Sequence, residues 1–146
     1  MWWLLGLLVA LALGTAIVLF VRRRRARKAW ETQLAGAVAE STWLAHELLP
    51  AALSTENAVT RRDVWLASRP RVGALENRLN QAMASAPADR LGSLAQLRDA
   101  VTDVGSTMDT DAATAALGDR ESVGAARQAQ RQLENALRAF EPPPET

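Results

Sequence analysis

Among its 146 residues the chain has no cysteine, no tyrosine, one isoleucine and one histidine. Without thiols there is no disulfide framework, no thiolate metal site and no cysteine nucleophile, so cysteine usage gives no reading of the redox compartment. Strand formers are scarce as well. The 125 residues after position 21 hold seven valines and no isoleucine, whereas Ala, Leu, Arg, Gln and Glu abound. Helix propensity therefore prevails over strand propensity, and the length admits at most one ordinary domain. Large apolar side chains are also few. That same stretch has 53 apolar residues, but 26 are alanine and only 27 are larger. The expected architecture is all-α, an elongated antiparallel helical bundle with a thin core.

What is abundant is sorted along the chain. The net charge of +1 hides a run, Trp2 to Val21, with no charged residue and only Gly6, Gly14 and Thr15 outside the apolar set. Twenty residues at about 1.5 Å each span roughly 30 Å, the thickness of a bilayer core. Arg22, Arg23, Arg24, Arg25, Arg27 and Lys28 follow at once, and the residues beyond Lys28 carry 11 basic and 16 acidic groups, a net of −5. A cleaved signal peptide would show a basic segment before a shorter apolar stretch. Here no basic residue precedes the run, and Ile17 to Val21 with the arginines follow Gly14-Thr15-Ala16 as a stop-transfer pattern. The expected order is a transmembrane helix over 1–21, a basic juxtamembrane segment over 22–29, a helical bundle over 30–141 and a Pro-rich tail over 142–146. Because positive charge stays on the cytoplasmic side, the N-terminus is expected outside the cell membrane and the bundle in the cytoplasm. Trp2 and Trp3 then sit at the outer interface, where indole rings favour the headgroup region.

Apolar spacing marks the helices. Trp30, Leu34, Ala37, Ser41, Leu44 and Leu48 form one face, which Pro50 is expected to close, and no Pro or Gly separates this segment from the apolar run before Gly36. Val72, Leu75, Leu79 and Met83 mark a second helix, with Ser68 as its N-cap and Pro70 in its first turn. After Pro87 comes a third, with Leu91, Leu94, Leu97, Val101, Val104 and Met108, which Asp109-Thr110-Asp111 is expected to interrupt. Ala126, Gln130, Leu133, Leu137 and Phe140 mark the last, stopped by Pro142-Pro143-Pro144. Segments 54–60 and 109–118 read as loops, and 63–67 as a short helix or an extended connection.

The segment Trp65-Leu66-Ala67-Ser68-Arg69-Pro70-Arg71-Val72-Gly73-Ala74-Leu75-Glu76, taken with the N-terminal span, the arginine run and the helix from Trp43 to Pro50, resembles uncharacterised single-pass membrane-anchored helical proteins of actinobacteria. The preference for arginine (16) over lysine (1) fits such a composition. The resemblance implies membrane anchorage and helices, and it brings no activity or catalytic residue.

Groups that could be activated for catalysis are few. His46 has Thr42, Trp43, Leu49 and Pro50 at the helical positions where a metal site needs further ligands, and no carboxylate orients it as a base. Asp99 and Asp103 share a helix face, the usual pattern of a solvated surface. Gly92, Gly105, Gly118 and Gly124 lie too far apart for a phosphate loop. No catalytic, metal or cofactor residue is assigned, and an enzyme is not expected. Three surfaces remain. Trp2, Trp3 and the six basic residues from Arg22 to Lys28 are assigned to membrane and lipid contact, since each basic group near an anionic surface contributes about 1 kcal/mol. Gly6, Ala10 and Gly14 form a small-residue stripe suited to association between spans, and so to a homo-oligomer. Arg61, Arg62, Trp65, Arg69 and Arg71 are assigned to a protein partner, because Trp and Arg most often anchor interfaces. Nucleic acid is not an expected partner, because the domain beyond Lys28 is acidic. The expected function is a membrane-tethered interaction or scaffolding module. A lipid-responsive or envelope-associated regulator is the alternative, and an enzyme subunit ranks third.

Overall fold

Alanine-rich segments with apolar residues every three or four positions can bury a stripe only against other helices, and the chain does so along most of its length. The computed structural model describes backbone at residues 2–115 and 120–142, and side chains at 15–115 and 122–142, with no strand among the described residues. Among them five α-helices follow one another: α1 (Trp2–Trp43), α2 (Leu49–Leu53), α3 (Ala58–Ala84), α4 (Ala88–Thr114) and α5 (Arg120–Leu137). A π turn, Leu44–Leu48, joins α1 to α2, and a 3-10 turn, Arg138–Phe140, follows α5.

Side-chain contacts fix the topology. Trp30 reaches Ala82 while Arg71 reaches Glu40, so α1 and α3 run antiparallel. Arg61 and Trp65 meet Asp111 and Asp109, and Glu76 lies over Gly105, which sets α3 against α4 in the same sense. Asp111 meets Ser122 at one end of α4 and α5, and Gln130 bonds to Ala45 where α5 returns along α1. The result is four rods, with α1 and α2 forming one of them.

The core runs down the middle of these rods. Trp65, Leu44, Leu49, Leu79, Leu94, Leu97, Met108 and Leu133 are fully buried, interleaved with Ala37, Ala45, Ala52, Ala82, Ala126 and Ala129. Small residues let the helix axes approach closely, which is how 27 larger apolar side chains suffice.

Several boundaries differ from expectation. Pro50 does not end the first rod. Its ring would crowd the carbonyl of His46 in a regular α-helix. The π turn widens the helix just before it, and α2 continues to Leu53. The extra residue shifts the buried face from Leu44 and Leu48 to Ala45, Leu49 and Ala52. α3 begins not near Ser68 but at Ala58, where the Asn57 carboxamide oxygen accepts from the amides of Val59 (2.9 Å) and Thr60 (3.3 Å). The loop there is thus shorter than 54–60, and 63–67 is helical. Pro70 lies inside α3 on an exposed face. The Leu66 carbonyl loses its helical donor there, at a residue that is itself 47% exposed. The interruption expected at Asp109 is absent, since α4 runs on to Thr114. Leu91 is 44% exposed and does not join the α4 core stripe.

Among the described residues, no helix is long and apolar enough to cross a membrane. The span expected over 1–21 falls mostly outside them, because side chains are described only from Thr15. The side chains of Trp2, Trp3 and the Gly6, Ala10, Gly14 stripe lie outside those described, as does the whole tail beyond Pro142.

Candidate functional site

Two regions carry the charged and aromatic residues singled out in the sequence, one at each end of the bundle. The first lies where α1 enters it. α1 continues without a break through Arg22 to Lys28, and every one of these basic side chains is exposed. Just before them Ile17, Val18, Leu19 and Phe20 are each more than half exposed, so a large apolar surface stands clear of the bundle.

Helical spacing divides the basic run. Arg23, Arg27 and Trp30, at i, i+4 and i+7, face the connection between α3 and α4 (Ser85, Ala86, Pro87) across a groove of about 660 Å³. Arg24, Arg25 and Lys28 turn the other way, beside Phe20 and Val21. Trp30 anchors the junction, because its indole N–H donates to the Ala82 carbonyl at 2.9 Å and the ring is buried. On its other side a second groove, about 610 Å³, is bounded by Leu34, Val38 and Phe140 together with Arg27, Arg90, Glu31 and Glu141.

The second region is the cluster from Arg61 to Arg71, and here the expected partner surface is corrected. Trp65 is fully buried and Arg61 is 5% exposed. The Arg61 guanidinium donates to both carboxylate oxygens of Asp111, at 2.7 and 3.0 Å, and to the Thr55 carbonyl at 3.2 Å. Ser122 donates to the same carboxylate at 2.6 Å. The hydrogen bond to Asp111 raises the Arg61 pKa against an opposing effect of burial. For Asp111 burial is the largest single influence and favours the neutral acid. The hydrogen bonds from Arg61 and Ser122 and the guanidinium charge together outweigh it and hold the carboxyl below its ordinary value.

The neighbouring residues point in different directions. The Trp65 indole N–H donates to Asp109 at 2.7 Å, and Arg69 binds the same carboxylate from 3.0 Å while reaching Glu76 at 3.5 Å. Glu76 in turn sits over Gly105, where an added Cβ would lie 2.9 Å from its oxygen. Arg71 faces α1, stacked 3.6 Å over the Trp43 ring and 2.8 Å from Glu40. Only Arg62 of the five has neither burial nor an ion pair among the described residues, and it is exposed beside Val59 and Leu66, which are 56% and 47% exposed. The cluster is thus mainly an internal brace tying α3 to α4 and α1. An arginine that close to a buried tryptophan needs an acid on the facing helix, and Asp111 supplies it. Asp111 falls on the continuation of the stripe Val101, Val104, Met108, and an acid at that spacing was the signal for a buried pair.

The other candidates are peripheral. His46 is exposed on the π turn, and Asp99 accepts from its neighbour Arg98 on an exposed face. Among the described residues no group of three or more His, Asp or Glu is placed to hold a metal ion.

No family model matches the chain, and no curated protein or solved structure is significantly similar to it.

Proposed function

We propose that the chain is a single-pass membrane protein whose helical bundle binds a protein partner on the cytoplasmic side. The observation that carries this reading is the continuity of α1. One helix links the uncharged run 2–21 to the bundle, the described part of that run is exposed and apolar, and the exposed basic residues come directly after it. Apolar length followed by positive charge is the pattern of a span whose C-terminal side remains in the cytoplasm. A binding role suits a bundle in which Arg61, Arg69 and Arg71 are taken up by internal ion pairs. Of the expected partner surface Arg62 stays open, and with the exposed Val59 and Leu66, which the sequence reading did not include, it forms an outer stripe at spacings of three and four on α3.

The full chain should remain with membranes after high-salt and alkaline washing, and a reporter active only in the cytoplasm should function when fused after Thr146. Release into the soluble fraction, or activity solely of an exported reporter, would contradict the reading. Arg62→Glu with Leu66→Glu should leave helicity and melting unchanged yet remove a co-purifying partner. Loss of folding, or full retention of the partner, would take this stripe out of the account.

A further inference from the structure

We propose that the groove between α1 and the α3 to α4 turn seats the phosphate of an anionic phospholipid, an inference that rests on the membrane-anchored reading above. The charged and polar residues that line it are Arg23, Arg27 and Ser85, and the others include Trp30, Ala86 and Pro87. Among the described residues no carboxylate lines it. The groove on the other side of Trp30 has comparable volume but includes Glu31 and Glu141, which repel an anion. Arg27 does contact Glu31 at 3.4 Å, but both side chains are more than half exposed. An exposed pair of this kind exchanges readily for a better acceptor. Guanidinium forks match phosphate oxygens in both geometry and charge.

Depth makes a lipid the source of that phosphate. Arg23 and Arg27 stand two and six residues beyond Val21, about 3 and 9 Å along the helix at about 1.5 Å per residue. The headgroup layer is roughly 5–8 Å thick on each side of the hydrocarbon. Arg23 therefore lies within that layer and Arg27 just past its cytoplasmic edge, within reach of it through a long side chain, and the turn facing them is held in register by the Trp30 to Ala82 hydrogen bond. A stop-transfer signal needs only a number of charges after the span. It does not need two of them to face a groove made by the bundle, with Arg24, Arg25 and Lys28 on the opposite side.

That division supplies a charge-matched test. The chain has no cysteine, so Ala88→Cys, at an exposed position beside Pro87, can carry the only environment-sensitive label. The labelled full chain is placed in nanodiscs of phosphatidylcholine with rising phosphatidylglycerol. The label should respond to phosphatidylglycerol, and Arg23→Gln with Arg27→Gln should raise the fraction needed for half-response by about tenfold. Arg24→Gln with Arg25→Gln removes the same charge and should raise it by no more than about threefold. Equal shifts for the two pairs would reduce the groove to general electrostatics and overturn the proposal, as would the same response to inorganic phosphate in pure phosphatidylcholine. A label at Val18→Cys separates this failure from that of the anchoring itself. If Val18 reports hydrocarbon while Ala88 ignores phosphatidylglycerol, only the lipid seat fails, and if Val18 reports water both readings fall.

Discussion

A charge buried between helices is held by its partner, and the consequences can be measured one residue at a time. Arg61→Ala leaves Asp111 buried without its counter-ion and should destabilise the bundle by about 3–5 kcal/mol, whereas replacing both as Arg61→Met with Asp111→Leu should recover most of that loss. Urea melts of the three proteins check this. If the double variant is as unstable as Arg61→Ala, packing of the arginine stem and not the orphaned charge is the cause. The same carboxylate sets an acid limit. Because the folded pKa of Asp111 is depressed, its contribution is present above the unfolded value, about 3.9, and is lost as pH falls through the lower folded value. Stability should decline below about pH 4, and Asp111→Asn should flatten that decline while lowering stability at neutral pH. At this scale the sequence was partly legible. Trp30, Leu44, Leu94, Leu97 and Val104 are buried as their spacing predicts. Trp65 and Arg61 were misplaced because an arginine reads as surface until the acid that accepts it, fifty residues away, is seen on the facing helix.

Helices were readable as helices, but their ends were not, since ends depend on single capping atoms and on what a neighbouring element can supply. Asn57 caps α3 through its own side chain, and the stretch before it looked like loop through to Thr60 because Val59 and Thr60 are not spaced on the core face. The turn at Leu44–Leu48 had no sequence signature beyond Pro50, yet its chemistry is specific. The Leu49 amide bonds to the Leu44 carbonyl. In that five-residue register the Ala45 carbonyl would need an amide at position 50, and proline has none. The Gln130 side chain provides the donor from α5, at 3.2 Å. Gln130→Leu should therefore cost about 1–3 kcal/mol, the penalty for an unmet buried carbonyl. In the Pro50→Ala background, where an amide is restored, the same change should cost clearly less. A thermodynamic cycle over the four proteins measures the coupling. Strict additivity would mean that Gln130 acts through packing or through its bond to Glu134 instead.

For the whole molecule, the four-rod antiparallel arrangement followed from composition and period. The order of contacts did not, because pairings such as Trp30 with Ala82 join residues 52 positions apart. What the continuous first helix adds is rotational coupling. A helix turns about 100° per residue, so one alanine inserted after Lys28 should swing Arg23 and Arg27 out of line with the α3 to α4 turn, and two should carry them to the far side. Melting of the bundle should be unchanged, while accessibility of a label at Ala88→Cys to a water-soluble quencher should change with each insertion. Unchanged accessibility would mean that the helix bends at the junction. The same unbroken rod sets a distance. From Val21 to Leu53 are 32 residues, about 48 Å of helix at about 1.5 Å each. In the proposed orientation the loop at Ser54 to Asn57 and the Asp111 end of the bundle thus project some six Debye lengths from the lipid, one being roughly 8 Å at physiological salt. At that remove the far end is electrostatically blind to an anionic bilayer, so in the proposed orientation the lipid's charge would act on the base of the molecule alone, and a partner docking at the far end would bind equally well whatever the lipid composition.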